Sequence, residues 1–125
     1  MSTEKGIKYD DDKPRMDLVF RGFNKALVDV GRVGTFGANK YTDDGWKEVD
    51  NGIERYLSAM IRHYFAYRGG KDIDSDSNLP HLSHMAWNAL AVLQLYLSET
   101  DLKNKCVYVK DPRGYMVRVT ENWTK

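Results

Sequence analysis

His81, His84 and Asn88 fall at i, i+3 and i+7 of one segment. On a helix of about 3.6 residues per turn they share a stripe roughly 60° wide. Leu82, Met85, Ala86, Ala89 and Leu93 occupy much of the remaining circumference. Imidazoles one turn apart can converge on one metal ion or one phosphate, and the amide can orient a ligand. The plainer reading is a pair of core histidines satisfied by backbone carbonyls, or a solvated stripe. Three nitrogen- or amide-bearing side chains on an otherwise apolar helix weigh towards chemistry.

A second stripe precedes it. Arg55, Ala59, Arg62 and Ala66 share one helical face with His63 beside them. Guanidinium groups suit bidentate contact with phosphate or carboxylate. Small alanines between them leave space for a ligand or a facing helix. Ordinary surface ion pairs, with Glu48 or Glu54, are the alternative. Between the stripes, Asp72, Asp74 and Asp76 alternate, as suits a hard divalent cation. An EF-hand is excluded, because Ser77 replaces its sharp-turn glycine and Ser83 its bidentate glutamate. A solvated acidic loop is ordinary, yet this one can deliver a carboxylate beside His63 and His81. Such a mixed His/Asp set suits a divalent transition metal or Mg²⁺. Upstream, Phe36, Lys40, Tyr41 and Trp46 offer a phosphate ligand and stacking rings, although such residues also anchor loops onto cores.

The positioning elements follow from periodicity and stop signals. Residues 1–16 read as a polar arm in which Pro14 disfavours helix before it. Leu18, Phe23, Ala26, Leu27, Val30 and Val33 recur at helical spacing after a capping Asp17, with Gly31, Gly34 and Gly37 loosening that helix. Residues 38–52 read as a loop. Asp50 or Asn51 caps a second helix from Ile53 to Arg68, stopped by Gly69-Gly70. After the 71–78 loop, a third helix runs from Pro80 to about Ser98. Cys106–Val109 and Tyr115–Val119 alternate like strands around an Asp111-Pro112-Arg113-Gly114 turn. The expected fold is therefore mainly α. It is a single domain over 1–125, with three principal helices bundled within 17–98 and a β-hairpin at 105–120. The short connection makes the second and third helices antiparallel, their polar stripes lining one cleft.

Composition bounds the function. Nineteen basic against 18 acidic side chains give a net charge of +1, which lacks the basic excess of a nucleic-acid polymer binder. A small polyanion remains compatible, because a few cations can be focused in one cleft. The N-terminus has no signal-peptide core, and no apolar run approaches the ~18 residues of a membrane span. The single cysteine, Cys106, reads as a small buried apolar residue in a reducing compartment. A cytoplasmic protein without a membrane partner is expected. The apolar circumference of the second and third helices implies a homo-oligomer.

Taken together, Lys8-Tyr9-Asp10, Lys13-Pro14, Phe36-Gly37-Ala38-Asn39-Lys40-Tyr41, Trp46, Arg55-Tyr56, Arg62-His63, Asp72-Ile73-Asp74 and Leu79-Pro80-His81-Leu82-Ser83-His84 with Asn88 resemble a known family. The pattern is similar to the small phage-encoded dATP/dGTP diphosphohydrolases, loosely grouped with MazG-like pyrophosphohydrolases, over roughly residues 5–98. The resemblance implies a helical, metal-dependent enzyme cleaving a purine deoxynucleoside triphosphate to monophosphate and pyrophosphate. This chain departs from the MazG-like Mg²⁺ site, since it lacks the Glu-x-x-Glu and Glu-x-x-Asp pairs. Asn78 also stands where glycine is expected before Leu-Pro-His.

The expected activity is thus metal-assisted nucleotide hydrolysis with Mg²⁺ or Mn²⁺. Asp72, Asp74, His81 and His84 are the expected metal ligands, and His63, His81 and Asp74 the catalytic groups. Lys40, Tyr41, Trp46, Arg55, Arg62 and Asn88 are expected to bind a purine nucleotide. The rival is a non-catalytic phage protein that sequesters a nucleotide signal of host defence. The missing Glu pairs favour this rival, whereas the Asp loop beside three histidines favours the enzyme.

Overall fold

The left-handed backbone at Gly70 (φ +91°) ends the helix that carries the arginine stripe. Lys71 donates its N–H to the Ala66 carbonyl (3.0 Å) and Gly70 to that of Tyr67 (3.0 Å), so the last carbonyls are satisfied by a Schellman turn. The structure, a computed structural model, describes residues 5–103 and 106–120. Among them are four helices, α1 (Met16–Gly22), α2 (Asn24–Lys40), α3 (Gly52–Arg68) and α4 (His81–Lys103). A 3-10 turn, Gly45–Glu48, lies between α2 and α3. The antiparallel hairpin pairs β1 (Cys106–Lys110) with β2 (Met116–Thr120), placing Val109 opposite Val117. Its turn closes through Gly114 N–H to Asp111 O (2.9 Å), with Asp111 Oδ1 accepting from the Arg113 and Tyr115 amides.

The mainly α class with a terminal hairpin agrees with the sequence, while several boundaries do not. The expected first helix is two, interrupted at Phe23 behind Gly22; α1 has no buried residue, so no packing holds the two segments in one rod. Three glycines do not end α2, which continues seven residues beyond Val33 to Lys40. Val33 is buried and Gly34 lies beside the Trp87 indole, so packing overrides weak helix propensity. Lys40 is therefore helical rather than part of a loop. Asp17 caps nothing, as its carboxylate pairs with the Arg15 guanidinium (2.9 and 2.8 Å). Asn51 does stand at the start of α3, but in the left-handed region (φ 56°) and without a side-chain capping bond. The expected burial of Cys106 concerns a side chain outside the described ones.

α3 and α4 pack antiparallel. Gly52 lies near Leu95 at one end, Tyr56 against Trp87 in the middle (ring centroids 5.7 Å), and His63 against His81 and His84 at the other. The connecting loop is stitched by its backbone. Asp74 N–H donates to Leu79 O, Asn78 N–H to Asp74 O and His81 N–H to Asp72 O, each 2.8 Å, and Ile73 bridges Pro80. Asn78 adopts φ 60°, which explains how it stands where glycine was expected. Asparagine tolerates the left-handed region better than most residues. On the other side, α2 is tied to the first turn of α4 by Ser83 Oγ, which donates to Asp29 Oδ2. No helix among the described residues is long and apolar enough to cross a membrane.

Two glycine substitutions should have opposite signs. Gly70→Ala forces a β-carbon into φ +91° and should cost about 1 kcal/mol. Gly31→Ala, in the exposed middle of α2 with nothing within 4 Å, should stabilise by a similar amount, about 1 kcal/mol. Thermal unfolding reads both; equal signs would contradict the assigned backbone geometry.

Candidate functional site

Residues far apart in sequence meet where the end of α3 passes the start of α4. His63 Nδ1 lies 2.8 Å from His81 Nδ1, and the His63 ring stacks on His84 (4.5 Å, 11°). Asp74 reaches in from the loop, with Oδ2 3.5 Å from His84 Nε2 and 3.9 Å from His63 Nδ1. Its Oδ1 accepts the Asp76 N–H (2.7 Å), which fixes the carboxylate. Ser77 Oγ stands 2.6 Å from His84 Nε2.

The electrostatics suit ligation. Burial pushes the His63 and His84 imidazoles below their ordinary pKa, with Asp74 opposing in both cases. Burial raises the Asp74 carboxyl, but the Asp76 amide and the three histidines outweigh it and hold it below the usual carboxylate range. Neutral imidazoles beside an ionised carboxylate are the protonation states a metal requires. Donor atoms of His63, Asp74 and His81 all lie within 4.8 Å of one another. Two facing Nδ1 atoms need one proton between them, and a cation can take that proton's place.

This cluster adjoins a cleft of about 920 Å³ running along α3. Arg55, Ser58, Ala59, Arg62 and His63 form one wall, and Asp74, Asp76, His84 and Asn88 line it from the loop and α4. Five of the six stripe residues, Arg55, Arg62, His63, His84 and Asn88, therefore share one cleft, as their spacing predicts, while His81 does not line it. Arg55 and Arg62 are exposed, and neither pairs with a carboxylate among the described residues. The anticipated Glu48 and Glu54 pairs do not form; Arg62 instead donates to Ser58 Oγ (3.0 Å). At the far end Trp46 packs edge-on against Trp87 (5.5 Å) and Tyr56 (6.3 Å), and the Tyr56 hydroxyl donates to the Trp46 carbonyl (2.7 Å). Lys40 reaches Asp76 (3.2 Å) across the cleft, and its ammonium lies 5.5 Å from the Tyr41 ring.

The expected site residues are not equivalent in place. Asp72 is exposed and outside both cluster and cleft; its contribution is the carbonyl that accepts the His81 N–H. His81 meets His63 but does not line the cleft. His84 is not one of the three-residue donor set; its Nε2 faces Ser77 Oγ (2.6 Å) and Asp74 Oδ2 (3.5 Å). Buried Asn88 donates Nδ2 to the His84 carbonyl of its own helix (2.8 Å), leaving its amide oxygen as an acceptor. Trp46 is largely committed to the aromatic cluster, whereas Tyr41 is 73% exposed at the cleft. Sequence reasoning gave no role to Ser77, Ser83, Asp29 and Trp87, and it read Asp76 as part of a cation-binding run rather than as the partner of Lys40. Trp87 could have been found as the neighbour of His84 one turn along; the Asp29–Ser83 pair spans 54 residues and leaves no local signal.

The family model "dATP/dGTP diphosphohydrolase, N-terminal" matches residues 3–105, so the hairpin lies outside it. No curated protein and no solved structure matches the chain.

Tyr56→Phe removes the bond that anchors the Trp46 segment to α3. It should cost about 1 kcal/mol and change the tryptophan emission as Trp46 loosens. Unchanged stability and emission would show that this bond does not hold the cleft's aromatic end.

Proposed function

We propose that this chain, which belongs to the dATP/dGTP diphosphohydrolase, N-terminal family, hydrolyses a purine deoxynucleoside triphosphate to the monophosphate and pyrophosphate with a divalent metal. The observation that carries this reading is the convergence of His63, Asp74 and His81 beside a cleft walled by Arg55 and Arg62. The family name supports a dNTP diphosphohydrolase and a nucleotide substrate. His63, Asp74 and His81 would hold the metal. Two imidazoles and one carboxylate fit Mn²⁺ or a similar transition ion better than Mg²⁺, which prefers oxygen ligands. When bound, such an ion supplies Lewis acidity and offsets charge developing on phosphate oxygens.

The chain's own residues account for the remaining steps. From His63 back to Arg55 is eight residues of α3, about 12 Å at ~1.5 Å per residue, which suits a triphosphate laid along the helix. Arg62 and Arg55 grip the phosphates, and Lys40 exchanges Asp76 for a phosphate oxygen. Tyr41 stacks on the base, with the Trp46 cluster forming the floor. The Asn88 amide oxygen accepts from a sugar hydroxyl. Water adds to the α-phosphorus, the bond from that phosphorus to the bridging oxygen breaks, and pyrophosphate leaves. His84, neutral and paired with Ser77, is placed to accept the proton that water gives up.

Incubation with a nucleotide panel and Mn²⁺ or Mg²⁺, followed by product analysis, tests the reading. Deoxynucleoside monophosphate and pyrophosphate should appear, faster with Mn²⁺. His81→Ala should abolish turnover and Mn²⁺ binding while helicity persists, since alanine is the better helix former. Arg62→Ala should mainly raise KM, because a phosphate clamp acts in both ground and transition states. Intact nucleotide recovered across the whole panel would replace hydrolysis with sequestration.

A further inference from the structure

Much large apolar surface is uncovered among the described residues, including Phe20, Ile61, Phe65, Leu90 and Leu93. Among the described residues no large side chain is fully buried, and the only buried hydrophobic residues are Val33 and Ala91.

One part of this surface has an internal symmetry. At about 100° per residue, Glu54, Leu57, Ile61, Tyr64, Phe65 and Arg68 form one stripe of α3, roughly opposite the Arg55/Ala59/Arg62 face that walls the cleft. Ile61 is 49% exposed and Phe65 66%. Glu54 and Arg68 are exposed at opposite ends of the stripe, each seven residues from Ile61, and neither has an ion-pair partner among the described residues. A two-fold axis at Ile61 would lay α3 antiparallel on its own copy. Each Glu54 would then meet an Arg68, and apolar surface would meet apolar surface.

We propose that the stripe of α3 centred on Ile61 is a docking surface for a second copy of this chain, with the two α3 helices antiparallel and Glu54 of one copy facing Arg68 of the other. The occupant follows from this self-complementarity. A like stripe turned by 180° supplies both the apolar cover and the two missing counter-charges. The cleft, on the opposite face of α3, stays open in each copy. The α1 surface, where Phe20 is 63% exposed, has no such charge pattern and serves as the comparison face.

Three measurements on the full chain test this together. Light scattering at micromolar concentration should report at least a dimer; a monomer overturns the proposal. With Cys106→Ser removing the native thiol, Ile61→Cys should form an intermolecular disulfide on mild oxidation, whereas Phe20→Cys should not. Cross-linking at Phe20 alone would move the interface elsewhere. Glu54→Arg and Arg68→Glu should each weaken association roughly three- to ten-fold, and combining them should restore it, because the swapped charges pair again. A double variant as weak as the singles, or weaker, would overturn the antiparallel register. Ile61 and its flanking charges are exposed, so these substitutions leave the α3–α4 contact in place.

Discussion

The twelve residues between α3 and α4 decide what the rest of the molecule can do. A Schellman turn at Gly70 releases the chain from α3, and the 2.8 Å bonds among Asp72, Asp74, Asn78, Leu79 and His81 return it at once into α4. A loop this stitched has little freedom, so the first turn of α4 is set beside the last two turns of α3. His63, His81 and His84 can meet only under that constraint. The same backbone bonds hold Asp74 inward and leave Asp72 outward, although the sequence presents the two carboxylates alike.

Packing around this joint is unusual in its distribution. The buried positions of α4 include Ser83, His84 and Asn88, while Leu90 and Leu93 of the same helix are about half exposed. Buried polar groups are costly unless paired. Here each has a partner: Ser83 with Asp29, His84 with Ser77 and Asp74, and Asn88 with the His84 carbonyl. Polar pairing thus replaces much of the apolar core on the cleft side. Large apolar side chains such as Ile61, Phe65, Leu90 and Leu93 lie outside it, about half exposed or more.

Much of this was legible from spacing alone. The stripes of α3 and α4, their antiparallel packing and the terminal hairpin follow from helical period, stop signals and a short connection. The length of α2 did not, because glycines that weaken an isolated helix are carried through by Val33 and the approach of Gly34 to Trp87. Asn78 and Asn51 look like ordinary loop and cap residues, and only the backbone shows both in the left-handed region. The division of labour between Asp72 and Asp74 was equally hidden, since it depends on which carbonyls and amides the loop pairs. Long-range pairs such as Asp29–Ser83 and Lys40–Asp76 have no local signature in a single sequence.

The central claim is that one metal and one nucleotide meet at the junction of these helices. A crystal structure with Mn²⁺ and a non-hydrolysable deoxynucleoside triphosphate, read by anomalous scattering, tests it most directly. The account predicts a manganese peak bonded to His63, Asp74 and His81, with the phosphates running along α3 past Arg62 and Arg55. Manganese held by other residues, or a nucleotide bound outside this cleft, would contradict it.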